Sequence, residues 1–146
     1  AKKGTYLVPT LLVNKASSAH TANDPDASWG SKRWGENSLA AMWERLTRAR
    51  AHGVRIGSGS DAGFMLEHGR ANLGEMECLV EGGFSRVEAI SAATATNADI
   101  MELDAGRLQP GKLADLVLVA GDPATDLAVL RKRSNLSVFL AGKRIS

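Results

Sequence analysis

A helix-period pattern, a glycine stop, a short strand and a glycine-rich loop succeed one another without a break from Glu36 to Gly63, and that order restricts the chain to α/β architectures. Leu39, Trp43, Leu46 and Ala49 or Arg50 recur at three-to-four spacing, which predicts a helix over Glu36–His52 with Gly53 as its stop. Val54-Arg55-Ile56 then reads as a strand running straight into Gly57-Ser58-Gly59-Ser60-Asp61-Ala62-Gly63. In α/β proteins the C-terminal ends of strands carry the sites. Small residues on both sides of Asp61 let the backbone turn sharply and a substrate or metal come close. The pattern leaves Asp61 several roles: a ligand or catalytic acid, a cap for the next helix, or a bond to its own loop amides. The spacing fits neither a dinucleotide fingerprint nor a P-loop.

The same reading extends to both sides. Tyr6 to Val13 is short and apolar, as in a strand buried on two faces, with Pro9 placing an end or edge there. Asn14 to Gly35 is polar and turn-rich, which predicts a functional lid or mobile segment. Leu73, Met76 and Val80 form one stripe of a helix over Arg70–Val80, stopped at Gly82-Gly83. Ser85-Arg86-Val87-Glu88 is a capping box opening a helix through about Ala93, and Thr96 or Asn97 is the expected cap of another through Leu103. Beyond Asp104 the pattern turns to strands: Asp115–Val119, then a helical turn at Asp126–Leu130, then Leu136–Leu140, with an edge strand at Arg144-Ile145. Two or three strands are marginal in isolation, so this tail needs partners from elsewhere.

Composition narrows the function. Eighteen basic against sixteen acidic residues, net +2, give no field that implies nucleic acid. Arg131-Lys132-Arg133 has no interleaved aromatic and reads as a solvated turn. Cys78 is the only cysteine, so there is no internal disulfide, and a buried inert thiol is expected. No stretch reaches the ~18 apolar residues of a membrane span, and no secretory leader is read at the start, so a cytoplasmic location is expected. His68 lies just beyond the Asp61 loop, His20 falls in the polar Asn14–Gly35 segment where it could touch substrate, and His52 sits at a helix end. No two histidines are close enough in sequence to make a self-contained metal site.

Three motifs carry a resemblance. Val54 to Gly63 with His68-Gly69 resembles the end of barrel strand 8 in the amidohydrolase superfamily, in the branch of imidazolonepropionase-like enzymes and metal-dependent prolidases. Gly83 to Ala98 resembles the helix pair after that strand. Gly106-Arg-Leu-Gln-Pro-Gly-Lys112-Leu-Ala-Asp115 through Val119, then Gly121-Asp-Pro123 and Val138 to Arg144, resembles the return into the family's small β-sandwich. Val8-Pro9-Thr10-Leu11 resembles strand 7. Ser60 stands where the family often has Thr.

The resemblance implies an α/β chain in two parts. Residues 1–104 would be part of a TIM-like (β/α)₈ barrel and residues 105–146 the C-terminal part of a composite β-sandwich. A chain of 146 residues is too short to close the whole barrel, which takes roughly 200. The resemblance further implies a hydrolase of carbon–nitrogen bonds that uses a divalent metal, usually zinc. Asp61 would be a metal ligand and proton shuttle for a metal-activated water, His68 and His20 would contact a small-molecule substrate, and most metal ligands would lie outside this chain. The partner would be the remainder of the barrel or another copy, and the 146 residues alone would be inactive. A different class of reading stays open: a non-catalytic binding module derived from the same fold.

Overall fold

Tyr6–Leu7 (β1) and Arg55–Ile56 (β2) pair in parallel, Tyr6 opposite Arg55 and Leu7 opposite Ile56, and the other elements are arranged around this pair or come after it. The structure, a computed structural model, describes residues 3–63 and 66–146, with the side chains of residues 33, 34, 36, 37 and 39 also outside the description. The expected Leu39 contribution to a helical stripe therefore lies outside the described residues.

Parallel strands require a long crossover, and here two helices make it. They are α1 (Leu11–Asn23) and α2 (Trp29–Ala51). This corrects two expectations. The first strand stops at Leu7, because Pro9 lacks a donor for the ladder and Thr10 turns the chain with φ +48°. The Asn14–Gly35 segment is not a turn-rich loop: it is most of α1, a turn at 24–28 and the start of α2, whose first turn is capped by Ser28 accepting from the Ser31 amide at 3.1 Å. The two helices pack along each other closely enough that Ser18 Oγ donates to the Gly35 carbonyl at 3.1 Å. His52 caps the C-terminus of α2, and Gly53 (φ +67°) turns the chain into β2.

After β2 come α3 (Ala71–Glu81) and α4 (Arg86–Ser91). The expected capping box is present: the Glu88 amide donates to Ser85 Oγ at 3.2 Å, and the Ser85 amide to Glu88 Oε2 at 2.6 Å. These bonds, with Arg50 beside them, hold the Glu88 carboxyl below its ordinary range. Replacing Ser85 by Ala should lower stability by about 1 kcal/mol, read as a fall in thermal midpoint. No new cap starts the next helix. The chain runs from α4 through a π-helical turn (Ala92–Thr96) directly into α5 (Asn97–Ile100), and neither Thr96 nor Asn97 caps with its side chain.

The tail forms the expected antiparallel sheet of β3 (Leu116–Val119), β4 (Leu136–Leu140) and β5 (Lys143–Arg144), with Leu116 opposite Phe139 and Phe139 opposite Arg144. A 3₁₀ turn, Leu127–Arg131, sends Leu127 into the main apolar cluster with Leu79, Met76 and Cys78. Arg131 pairs with Glu77 on α3, so the basic run is tied down at one member. Burial drives the Cys78 thiol up to about 11, which keeps it a thiol near neutral pH, as expected of an inert core cysteine.

Candidate active site

Because β1 and β2 are parallel, their C-terminal ends lie at one end of the sheet, and Val8–Thr10 and Gly57–Asp61 leave it side by side. The Gly57 amide extends the ladder by donating to the Leu7 carbonyl at 2.9 Å. The chain then runs in a loop packed against the end of β1 on one side and α5 on the other. A Cβ on Gly57 would lie 2.6 Å from Asn97 Oδ1 and from Ile100 Cδ1, and one on Gly59 would lie 2.6 Å from Val8 Cγ1. Neither glycine has a positive φ. They are small to admit neighbours from their own chain, where the sequence suggests room for a turn or a ligand.

The Asn97 carboxamide grips this loop twice. The Ser58 amide donates to Asn97 Oδ1 at 3.1 Å, and Asn97 Nδ2 donates to the Ser58 carbonyl at 2.7 Å. The sequence offers Asn97 only as a helix cap. Its partner lies 39 residues away, and the only local sign is an amide side chain in an Ala/Thr-rich helix.

Three residues beyond Ser58, Asp61 sits in the left-handed region (φ +49°) with an exposed side chain. Asp tolerates that region better than most residues. Its carboxylate makes no hydrogen bond or ion pair with another described residue. The helix-cap role falls away, since α3 begins only at Ala71 and has no side-chain cap. Thr10, at the matching end of β1, is also left-handed, and for a β-branched residue that is a costly conformation. Each such residue stores roughly 1–3 kcal/mol and marks a place where the surrounding fold dictates the backbone.

Thr10 leads into a second feature that local pattern does not reveal. α1 has no cap from its own N-terminal residue; instead Glu75 of α3 reaches over, and the Leu11 and Leu12 amides donate to its two oxygens at 2.9 and 2.8 Å. Glu75 is fully buried. Burial raises its carboxyl pKa, and the two amide bonds pull the other way with less effect. The expected stripe of Leu73, Met76 and Val80 is thus only part of the buried face of α3, which turns Ala71, Glu75, Met76, Cys78 and Leu79 inward. Gly74 is the available signal: a Cβ there would lie 2.6 Å from Leu12 Cδ2, so α1 and α3 approach closely beside Glu75.

His68 shares the Asp61 loop. The Gly63 amide donates to the Leu66 carbonyl at 3.1 Å, and a Cβ on Gly63 would lie 3.4 Å from His68 Nε2. The imidazole therefore lies over the glycine two residues past Asp61. His20 is exposed in the last turn of α1, roughly 14 Å along the helix from its N-terminus at the strand ends. Its expected setting, a polar loop, is a helix instead.

Two cavities stand out among the described residues, and neither is lined by Asp61. One of about 160 Å³ lies between Leu7–Pro9 of the β1 end and Met42, Arg45 and Leu46 of α2. It is smaller than the ~300 Å³ at which ligand pockets begin. The other, about 310 Å³, lies in the tail between Arg107 and Leu116. Asp61 offers oxygen donors suited to a divalent cation, but among the described residues no three His, Cys, Asp or Glu side chains converge on one point. A catalytic zinc takes about three protein ligands and a water, so Asp61 fits one position of such a set and the described residues do not complete it.

A parallel strand pair with a long helical crossover, and an acid beyond its strand ends, defines an α/β protein. The amidohydrolase family matches residues 1–145, and the chain belongs to that family. Among solved structures, it is similar to a Xaa-Pro dipeptidase with methionine bound in its active site (28% identity, TM-score 0.83, 99% of this chain and 35% of that one). It is also similar to a prolidase complexed with N-methylphosphonate-L-proline (27%, TM-score 0.80, 99% and 36%). A third is A. niger ochratoxinase (25%, TM-score 0.84, 99% and 32%). The chain spans about a third of the length of these proteins. No match was found among curated proteins. Among the described residues no helix is long and apolar enough to cross a membrane.

Proposed function

We infer that this chain is the C-terminal part of a metal-dependent hydrolase of carbon–nitrogen bonds in amide, cyclic amide or peptide-like substrates, with Asp61 as metal ligand and proton shuttle. The observation that carries the reading is Asp61: an exposed carboxylate on left-handed backbone, beyond the C-terminal end of a parallel strand pair, held by no described residue. The dipeptidase and prolidase relatives support the reaction class. In this reading residues 1–104 supply strands 7 and 8 of a (β/α)₈ barrel and residues 105–146 supply part of a β-sandwich. The remainder of the barrel, or another copy, covers their open sheet edges.

Asp61 would be one ligand of a divalent cation, zinc in this reading, which when bound would supply a water acidic enough to lose its proton near neutral pH. Asp61 would take a proton from the attacking water as the water oxygen bonds to the substrate carbonyl carbon. It then passes the proton to the departing nitrogen as the carbon–nitrogen bond breaks. The left-handed backbone after the strand leaves the carboxylate exposed, open to a substrate and water. His68, over Gly63, borders the substrate. His20 is reached only by a substrate long enough to extend along α1.

The test is hydrolysis of a panel of dipeptides and N-acyl amino acids by the full-length protein, before and after chelation. Hydrolysis that falls on chelation and returns with zinc is the expected result. Residues 1–146 alone should hydrolyse none of the panel and hold zinc weakly, for want of ligands. A metal-loaded full-length protein that binds these compounds and leaves every amide intact would favour the non-catalytic binding module.

A further inference from the structure

Among the described residues, the stretch from Ser58 to Asp61 is held by a side chain from another element. Beyond the last ladder bond at Gly57, its backbone is fastened at Ser58, by the side chain of Asn97. One carboxamide accepts from the amide and donates to the carbonyl of the same residue, so it fixes both the position and the tilt of that peptide segment. Gly57 leaves the space in which Asn97 Oδ1 and the Ile100 side chain sit. The register that aims Asn97 at the loop comes from the π turn immediately before it. A π turn takes one residue more than an α turn and so rotates the succeeding residues by roughly 100° about the axis. Without it the Asn97 side chain would leave a different face of the helix.

We propose that Asn97 is a positioning residue, which fixes the aim of the Asp61 carboxylate by clamping both peptide groups of Ser58. The inference rests on the reading of Asp61 as the proton shuttle. Two residues, Gly59 and Ser60, separate the clamped Ser58 from Asp61, and the intervening backbone passes Gly59 against Val8, so a released Ser58 lets Asp61 drift against a substrate held elsewhere. A displacement on the order of 1 Å costs about a hundredfold in rate. Substrate binding, which the clamp does not touch, is left almost unchanged.

Asn97→Ala in the full-length enzyme is the test, with steady-state kinetics and amide hydrogen exchange measured on the same preparation. The expected result is a kcat lowered about tenfold to a hundredfold with KM within about threefold, and faster exchange at the Ser58 amide while Gly57 stays protected. Asn97→Asp keeps the acceptor for the Ser58 amide and loses the donor to its carbonyl, so it should fall between wild type and Ala. Unchanged kcat, or unchanged Ser58 exchange, in a folded Asn97→Ala protein overturns the proposal. If that variant loses protection throughout, Asn97→Asp is read in its place; global loss in both, or a wild-type kcat in a folded Asn97→Asp, also overturns it. Failure of the underlying reading is separate: there Asp61→Asn keeps its turnover, whereas failure of the clamp leaves Asp61→Asn inactive and Asn97→Ala active.

Discussion

On the proposed role of Asp61 as proton shuttle, Asp61→Asn in the full-length protein is expected to lose nearly all turnover while keeping the fold. Asn has the same shape and tolerates the left-handed backbone at φ +49° as readily as Asp, so the loop has no reason to rearrange. What it lacks is a basic oxygen. It cannot take a proton from water or return one to the leaving nitrogen, and loss of such a group costs about a hundredfold to ten-thousandfold. The measurement is kcat alongside metal content and far-UV circular dichroism. A variant with native fold, native metal content and near-normal kcat would show that the proton moves through another group.

Glu75→Ala should be the most destabilising single change in the described part of the chain. It strips the acceptors from the Leu11 and Leu12 amides, and Leu11 is fully buried. Each buried amide left without a partner costs about 1–3 kcal/mol, so a loss of about 2–5 kcal/mol is expected in denaturant unfolding. Glu75→Gln keeps one oxygen and turns an NH₂ toward the other amide, so it should lose about half as much. The pH dependence has a definite sign. Burial raises the Glu75 carboxyl above its ordinary 4.5 in the folded state. Its protonation therefore favours folding: the contribution is full below the unfolded pKa and is lost as pH rises through the folded one. The stability advantage of wild type over Glu75→Gln should shrink as pH rises from below 4.5 into the neutral range. An advantage that grows with pH would mean that the two amide bonds outweigh burial.

Local signals decide what can be read in the chain before its fold is known. The Ser85–Glu88 box, the strand and loop order ending at Asp61, and the turns that separate β3, β4 and β5 depend on neighbours a few residues apart, and each stands where its pattern puts it. The identity of Asp61 as a carboxylate beyond a strand end is legible for the same reason. The Asn14–Gly35 segment is not. Its Ser, Thr and Asn residues favour turns over helices when judged one by one. Tertiary contacts overrule them: Glu75 supplies the missing cap of α1 across 64 residues, and α2 packs against Ser18.

The site divides along the same line. The acid, the small residues around it and the β-rich tail follow from residue type and spacing, and needed nothing beyond the chain to be found. Long-range packing settles the rest. It makes Gly57 and Gly59 small for the sake of Asn97, Ile100 and Val8, and sends Thr10 and Asp61 out of neighbouring strands in strained backbone. It also brings Asn97 to Ser58, through a π turn that has no cap and no periodic signature. A hydrogen bond between residues distant in the chain leaves no trace in local pattern, since either partner satisfies its own stretch equally well without the other.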